Sequence, residues 1–484
     1  MNEKDFINQS ETPELEDTTK ATEESQLDKP VTLSLLLQFG LPTIFAMLVM
    51  HTFAIVDGIF AMRALSWEAM SAITVFMPFF MITAAIGMLF AAGGSAVIVK
   101  KTGMKLFSEA RNNFTFICIA ALLVITLITV AVVIFPSSLL NILGANYEIY
   151  DHALAYLRIA AWAFPFMTMG QIFNIFLIAD GKPMLSMGIS VLGTILGAGG
   201  NAVFLFVFEW GMEGLAWATL VGTVVPAFIY LYVFCNNRKG TFYFARPKID
   251  LKAFGQVMLL GMAVFIPSMA GATISLIMNN VLVRMEGVGA MGIAVAGMVM
   301  AVHGTLSVLF LGHLQGTGAL ISFNHGKANH DRQKRLFKLN IKIFAVISVV
   351  TLSVAMVFSD LLMRIYLPSA TDAGEIFMRE IAVRGLRIVS ISFIVSGFNT
   401  FAAGLFTSLN KGAIATILNT VRTICFNLPL LLLLPRAFDL TGVWMAMPIA
   451  EGLTIIFSII MLMAFGKRYH FLGKSEDVRV SLSI

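Results

Sequence analysis

Residues Phe39–Arg63 read FGLPTIFAMLVMHTFAIVDGIFAMR, an apolar run whose one carboxylate is Asp57. About 20 apolar residues in a helix cross the roughly 30 Å of a bilayer core, so the run spells a membrane span. An ionised carboxylate deep in such a span costs about 2.5–3.5 kcal/mol. That cost has to be offset by a partner, a wet cavity or a bound cation.

Similar runs recur along the chain. Of its 484 residues, 58% are hydrophobic and 13% charged, and the mean hydropathy is +0.85. Soluble domains carry about 25% charged residues, so most of this surface faces lipid. The sequence predicts an all-α polytopic membrane protein with twelve spans, near 33–63, 68–99, 113–135, 152–179, 184–208, 213–235, 253–284, 288–325, 337–358, 376–409, 412–434 and 441–465. Residues 1–32 form an acidic tail with too few large apolar side chains to pack and are expected to be disordered. Neither a basic start nor an early apolar segment marks a signal peptide.

Basic residues set the sidedness. Lys100, Lys101, Lys105 and Arg111 follow span 2, Arg238, Lys239, Arg246, Lys248 and Lys252 follow span 6, and Lys327, Arg332, Lys334, Arg335 and Lys338 follow span 8. The alternate connections Pro136–Asp151 and Glu209–Glu213 hold no lysine or arginine. Both termini are therefore expected in the cytoplasm.

The halves repeat. Gly40 aligns with Gly261 and Arg63 with Arg284 at an offset of 221; Gly93 and Ala96 align with Gly316 and Ala319 at 223. Phe173-Asn174 aligns with Phe398-Asn399 at 225, and Gly214 and Ala218 with Gly442 and Ala446 at 228. An offset that grows in order is what a duplication with small insertions leaves. The expected domains are a first lobe at 33–235 (spans 1–6), a cytoplasmic linker at 236–252, a second lobe at 253–465 (spans 7–12) and a C-terminal tail at 466–484. Two parallel six-helix lobes around a central cavity form a carrier.

Several polar residues lie inside these spans. The partner position of Asp57 is Met278, so the lobes are chemically unequal there. Asp57 reads as an ion-coupling site or as half of a fixed pair with Arg158, which enters span 4 at similar depth. Arg422 and Glu451 approach the midplane from opposite ends of spans 11 and 12 and read as a structural pair. Gln171, Asn174 and Asn201 are candidate cavity residues or interhelical ties. Arg384 and Arg387 could face an anionic substrate. His51, His303 and His313 read as packing residues, and Pro42, Pro165, Pro226 and Pro267 as bends. Cys118, Cys235 and Cys425 have no metal or disulfide spacing. Gly287–Gly292 fits GxGxxG but joins two membrane spans, and neither a Walker A motif nor HExxH occurs. The chain reads as no enzyme, with no cofactor and no metal site.

The chain resembles the multidrug and toxic compound extrusion (MATE) family, closest to its DinF-like and MepA-like bacterial branch. The resemblance covers about residues 33–465. It rests on Gly40-Leu41-Pro42 with Val56-Asp57-Gly58-Ile59-Phe60, on Gly87–Phe90 running into Gly93–Ala96, on Ala179-Asp180-Gly181-Lys182-Pro183, and on Gly211–Thr219. It implies a secondary antiporter of the cell inner membrane that exports amphipathic, cationic compounds in exchange for protons or sodium. Asp57 would be its ion site and Pro42 a bend in the same helix. A monomer is expected, without ATPase or nucleic-acid partners. Two family features are missing: span 7 has no acid, and Leu205 stands where an aspartate often follows Asn201. A flippase for a lipid-linked saccharide and a major-facilitator-type carrier are the alternative readings.

Overall fold

The computed structural model describes residues 30–466 apart from 104–105, 181, 237–240, 327–328, 369–371 and 410. Within its helices the side chains of 46, 49, 50, 52–57, 99, 100, 103, 183, 263, 319, 323 and 326 are not described. Of the expected tails, 1–32 and 466–484, residues 1–29 and 467–484 lie outside the described residues; Val31, expected in the disordered tail, is instead buried in a packed core.

Most of the described residues are helical, and none is in a strand. In chain order the helices are α1 (Leu33–Phe60, running into a π-turn at Ala61–Leu65), α2 (Trp67–Gly103), α3 (Phe107–Ile134), α4 (Pro136–Leu143), α5 (Tyr150–Ala160), α6 (Ala163–Ala179), α7 (Pro183–Phe206) and α8 (Gly211–Asn236). The second half has α9 (Leu251–Val283), α10 (Gly289–Gly326), α11 (His330–Val357), α12 (Ser359–Arg364), α13 (Ala373–Ser390), α14 (Phe393–Ser408), α15 (Gly412–Thr420, running into a π-turn at Val421–Asn427) and α16 (Leu428–Gly466).

Twelve spans follow from these elements. Eight helical runs are long and apolar enough to cross a membrane, and two bent pairs, α5–α6 and α13–α14, supply spans 4 and 10. One of the eight, Gly412–Gly466, is two spans, because Phe438 and Asp439 leave helical geometry and Asp439 takes φ 48°. The 28-residue α1, continuous through Pro42, is span 1.

The bend of span 4 falls at Ala161–Trp162, one turn before the position expected from Pro165. Proline has no N–H, so the carbonyl four residues earlier, that of Ala161, loses its helical partner and the chain turns there. Span 10 bends almost equally, 50° against 52°, with no proline. Its turn tightens instead through i→i+3 bonds from Ile394 to Ile391 and from Val395 to Ser392. The bend therefore belongs to both lobes, and the proline to one.

Glycines explain how the lobes meet. A Cβ on Gly93 of α2 would strike the Val257 carbonyl of α9, and one on Gly261 of α9 would strike the Leu89 carbonyl of α2. In the matching crossing of α1 with α10, a Cβ on Gly316 would strike the Phe39 carbonyl and one on Gly40 the His313 ring. Thr43 adds a hydrogen bond to the Gly312 carbonyl at 2.8 Å. Two of the repeat's matched pairs, Gly40/Gly261 and Gly93/Gly316, are thus the contact points of two equivalent crossings between lobes.

The packed cores show the same exchange. Val31, just ahead of α1, and Leu35 and Leu36 in its first turn are buried among Phe310, Phe344 and Phe406 of the second lobe. Ala253 and Val257, at the start of α9, are buried among Phe90, Phe114 and Phe176 of the first lobe. Each lobe thus holds the first turns of the other's leading helix, at the end that carries the basic connections. At the opposite end one core joins both lobes, with Met70, Ala290, Tyr366 and Trp444 among its members.

Candidate functional site

Each lobe has a polar hub tying its last three spans. In the first, the amide nitrogen of Asn174 (α6) donates to Ser190 Oγ (α7) and to Tyr230 Oη (α8), both at 3.1 Å. Tyr230 in turn donates to the Ser186 carbonyl at 2.9 Å. Every member is neutral. Asn174, expected as either a cavity residue or a tie, makes ties.

In the second lobe Asn399 (α14) takes the place of Asn174, as the repeat aligns them. Its amide nitrogen donates to Glu451 Oε2 of α16 at 2.7 Å and to the Glu451 carbonyl at 3.0 Å, while its Oδ1 accepts from Ser458 Oγ at 2.9 Å. The other carboxylate oxygen, Oε1, accepts from Arg422 Nε at 2.7 Å and also contacts Arg422 Nη2. At the offset of 228 shared by Gly214 and Gly442, Glu451 corresponds to Thr223 and Ser458 to Tyr230. The first lobe builds its hub from an amide and hydroxyls; the second adds an ion pair.

The pair is unequally buried: the Glu451 side chain is 3% exposed and that of Arg422 26%. Arg422 lies in the π-turn Val421–Asn427, and such turns often mark functional positions. Residues of the same turn, Thr423 and Ile424, with Leu428, face Phe265, Met269 and Thr273 of α9 across a pocket of about 220 Å³.

Asp57 occupies the last turn of α1, ahead of the π-turn; its side chain lies outside those described. Its neighbour Gly58 is buried, with Met70 and Tyr366 where a Cβ would go. Arg158 is exposed on α5, a helix packed on α2 and α8, whereas α1 packs on α10 and α7. Asn201 is buried in α7, and the buried Gln171 Oε1 abuts Gly87. Arg384 and Arg387 are exposed on α13, and Arg387 Nε donates to Ser359 Oγ at 2.8 Å. His303 stacks on Phe393 and shares a 3.1 Å hydrogen bond with Ser392; His313 binds Asn340 at 3.0 Å. No group of side chains able to hold a metal occurs among the described residues.

The segment 241–250 between the lobes is an extended strap on the first lobe. Asp180 Oδ1 accepts the backbone N–H of Thr241 at 2.7 Å, Arg111 Nε donates to the Thr241 carbonyl at 3.0 Å, and Thr115 Oγ1 accepts from Ala245 N at 3.0 Å. Arg111 also lies 4.1 Å from the centre of the Tyr243 ring, and Phe242 is buried against Phe114 and Phe176. The strap ends at Asp250, which caps α9 at Ala253 N and pairs with Lys101 at 3.3 Å. The backbone N–H of Ala253, and then Lys101, hold the Asp250 carboxyl below its ordinary pKa against the opposing effect of burial. The sequence reading missed Asn399 and Ser458 as partners of Glu451 and the strap's hold on Asp180. The Asn174/Asn399 match was the available signal for the first.

A two-lobed bundle of twelve spans with charges held inside defines a membrane transport protein. The family model MatE matches residues 42–203 and 263–433. The chain belongs to that family. It is 24% identical over 445 residues to the multidrug export protein MepA of Staphylococcus aureus (strain NCTC 8325 / PS 47), covering 90% of this chain and 94% of that one. Among solved structures, an inward-facing multidrug resistance MATE family transporter of the MOP superfamily matches with TM-score 0.79 at 20% identity, over 87% of this chain and 99% of that one. The MATE multidrug transporter DinF-BH, solved as a complex, matches with TM-score 0.74 at 24% identity, over 93% and 99%.

Proposed function

We propose that the protein is a secondary antiporter of the cell inner membrane, exporting amphipathic, cationic compounds in exchange for protons or sodium. The observation that carries this reading is Asp57, one carboxylate in the last turn of an apolar helix of a MatE-family chain. Burial disfavours the charged form of a carboxyl, and access to water from one side at a time lets it load and release an ion. A cationic substrate and the coupling ion then compete for one charge. Net export follows if loading favours one lobe arrangement over the other. The basic connections and both termini lie on the cytoplasmic side, and a monomer suffices because each chain contains both lobes. No cofactor is needed, since the ion gradient supplies the driving force.

The test uses purified protein in liposomes, following a cationic dye under separate pH and sodium gradients. Wild-type protein moves dye under one of them, and Asp57→Asn inserts but does not. Gradient-driven movement by Asp57→Asn at the wild-type rate overturns the assignment.

A further inference from the structure

The two hubs do the same structural work with different chemistry. The first lobe ties spans 4, 5 and 6 through Asn174, Ser190 and Tyr230 without a charge. The second ties spans 10, 11 and 12 through Asn399, Glu451, Ser458 and Arg422, with two. A buried ion pair is often no more stabilising than apolar or neutral groups of similar volume. Stability is therefore weak grounds for the charge, which asks for another use.

Glu451 is fully engaged. One oxygen holds the Nε/Nη2 edge of Arg422 and the other holds Asn399. The guanidinium has a second donor edge, Nη1/Nη2, which has no further partner among the described residues. An anion on that edge would sit about 4 Å from the guanidinium carbon and about 7 Å from the Glu451 carboxylate, so attraction exceeds repulsion. Next to Arg422 in the chain, Thr423, Ile424 and Leu428 line an apolar pocket of about 220 Å³ against α9; Arg422 itself is not in that lining.

We infer that Arg422, positioned by Glu451 and Asn399, is a subsite of the second lobe for a carboxylate or phosphate on an amphiphilic substrate. This rests on the transport reading and deepens it. Among amphiphiles with the cationic group directed to Asp57, those that also carry an acid for Arg422 are then preferred.

The experiment measures binding without any gradient, so it can succeed or fail independently of transport. A rhodamine with a free carboxylate and its ethyl ester share one ring system and differ by one negative charge. Wild-type protein in detergent binds the acid at least tenfold more tightly than the ester, by fluorescence anisotropy. In the double variant Arg422→Gln/Glu451→Gln, which leaves no isolated charge, the ratio falls to about one. Near-UV circular dichroism checks its packing. If it does not fold, Arg422→Lys replaces it: an ammonium held by Glu451 presents no second planar edge, and the ratio drops severalfold. Equal binding of acid and ester by wild type overturns the inference, as does an unchanged ratio in whichever variant folds.

Discussion

Removing either partner of the Arg422–Glu451 pair takes the counter-charge from the other, and Glu451 is then left with Asn399 alone as its side-chain partner among the described residues. Breaking such a pair typically costs about 3–5 kcal/mol, whereas neutralising both members costs far less. Arg422→Gln and Glu451→Gln should therefore each lower the melting temperature in detergent more than the double variant does. Additive losses would show that the pair is not coupled. Asp250 gives a pH-dependent counterpart outside the membrane. Its carboxyl is held below the ordinary range when docked, so its contribution is present above that range and lost as pH falls through the lowered value. The gap in melting temperature between wild type and Asp250→Ala, from loss of a cap worth about 0.5–2 kcal/mol, should be full at neutral pH. It should narrow below about pH 4. At this scale the sequence reading placed Arg422 against Glu451 because depth along two spans can be counted. Asn399 and Ser458 escaped it because hydrogen-bond partners depend on helix rotation, which an apolar run does not encode.

Helices α2 and α9 approach until backbone meets backbone at Gly93 and Gly261, and α1 and α10 do so at Gly316. A methyl group at any of these three positions meets a carbonyl oxygen, which cannot rotate away as a side chain can. Gly93→Ala, Gly261→Ala and Gly316→Ala should each destabilise by about 1–3 kcal/mol, the usual cost of overpacking. Gly188→Ala in α7, where no atom lies within 4 Å, should be neutral or mildly stabilising. Thermal melts of the four variants in one detergent decide it, and equal behaviour would mean the crossings are loose. All twelve spans were legible from hydropathy, since each exceeds the length of a bilayer crossing. The breaks in spans 4 and 10 were less so, because each falls within an unbroken helical pattern and only one carries a proline. The matched glycines stood out as evidence of duplication, while their job as contact points needed the three-dimensional crossing.

At the scale of the whole molecule, the lobes are bound by exchange rather than by the chain that joins them. The first turns of α1 pack in the second lobe, the first turns of α9 pack in the first, and both crossings run alongside. The strap 241–250 is fixed to the first lobe by Asp180, Arg111 and Thr115 and leads directly into α9. Cutting the chain between Asn236 and Thr241 would therefore free neither the strap nor α9, and would leave the inter-lobe contacts of the described residues in place. A protease site inserted at 237–240 should be cleavable in detergent while the two fragments co-purify through a tag on either one. The melting temperature should fall little, because the cut removes no buried contact among the described residues. A second cut variant carrying Gly93→Ala and Gly316→Ala attacks both crossings together, and its fragments should separate where those of the single cut do not. If the simple cut alone releases the fragments, the linker, and not the exchanged helix ends, holds the lobes. Any rocking between the lobes would then have to be sought outside spans 1 and 7.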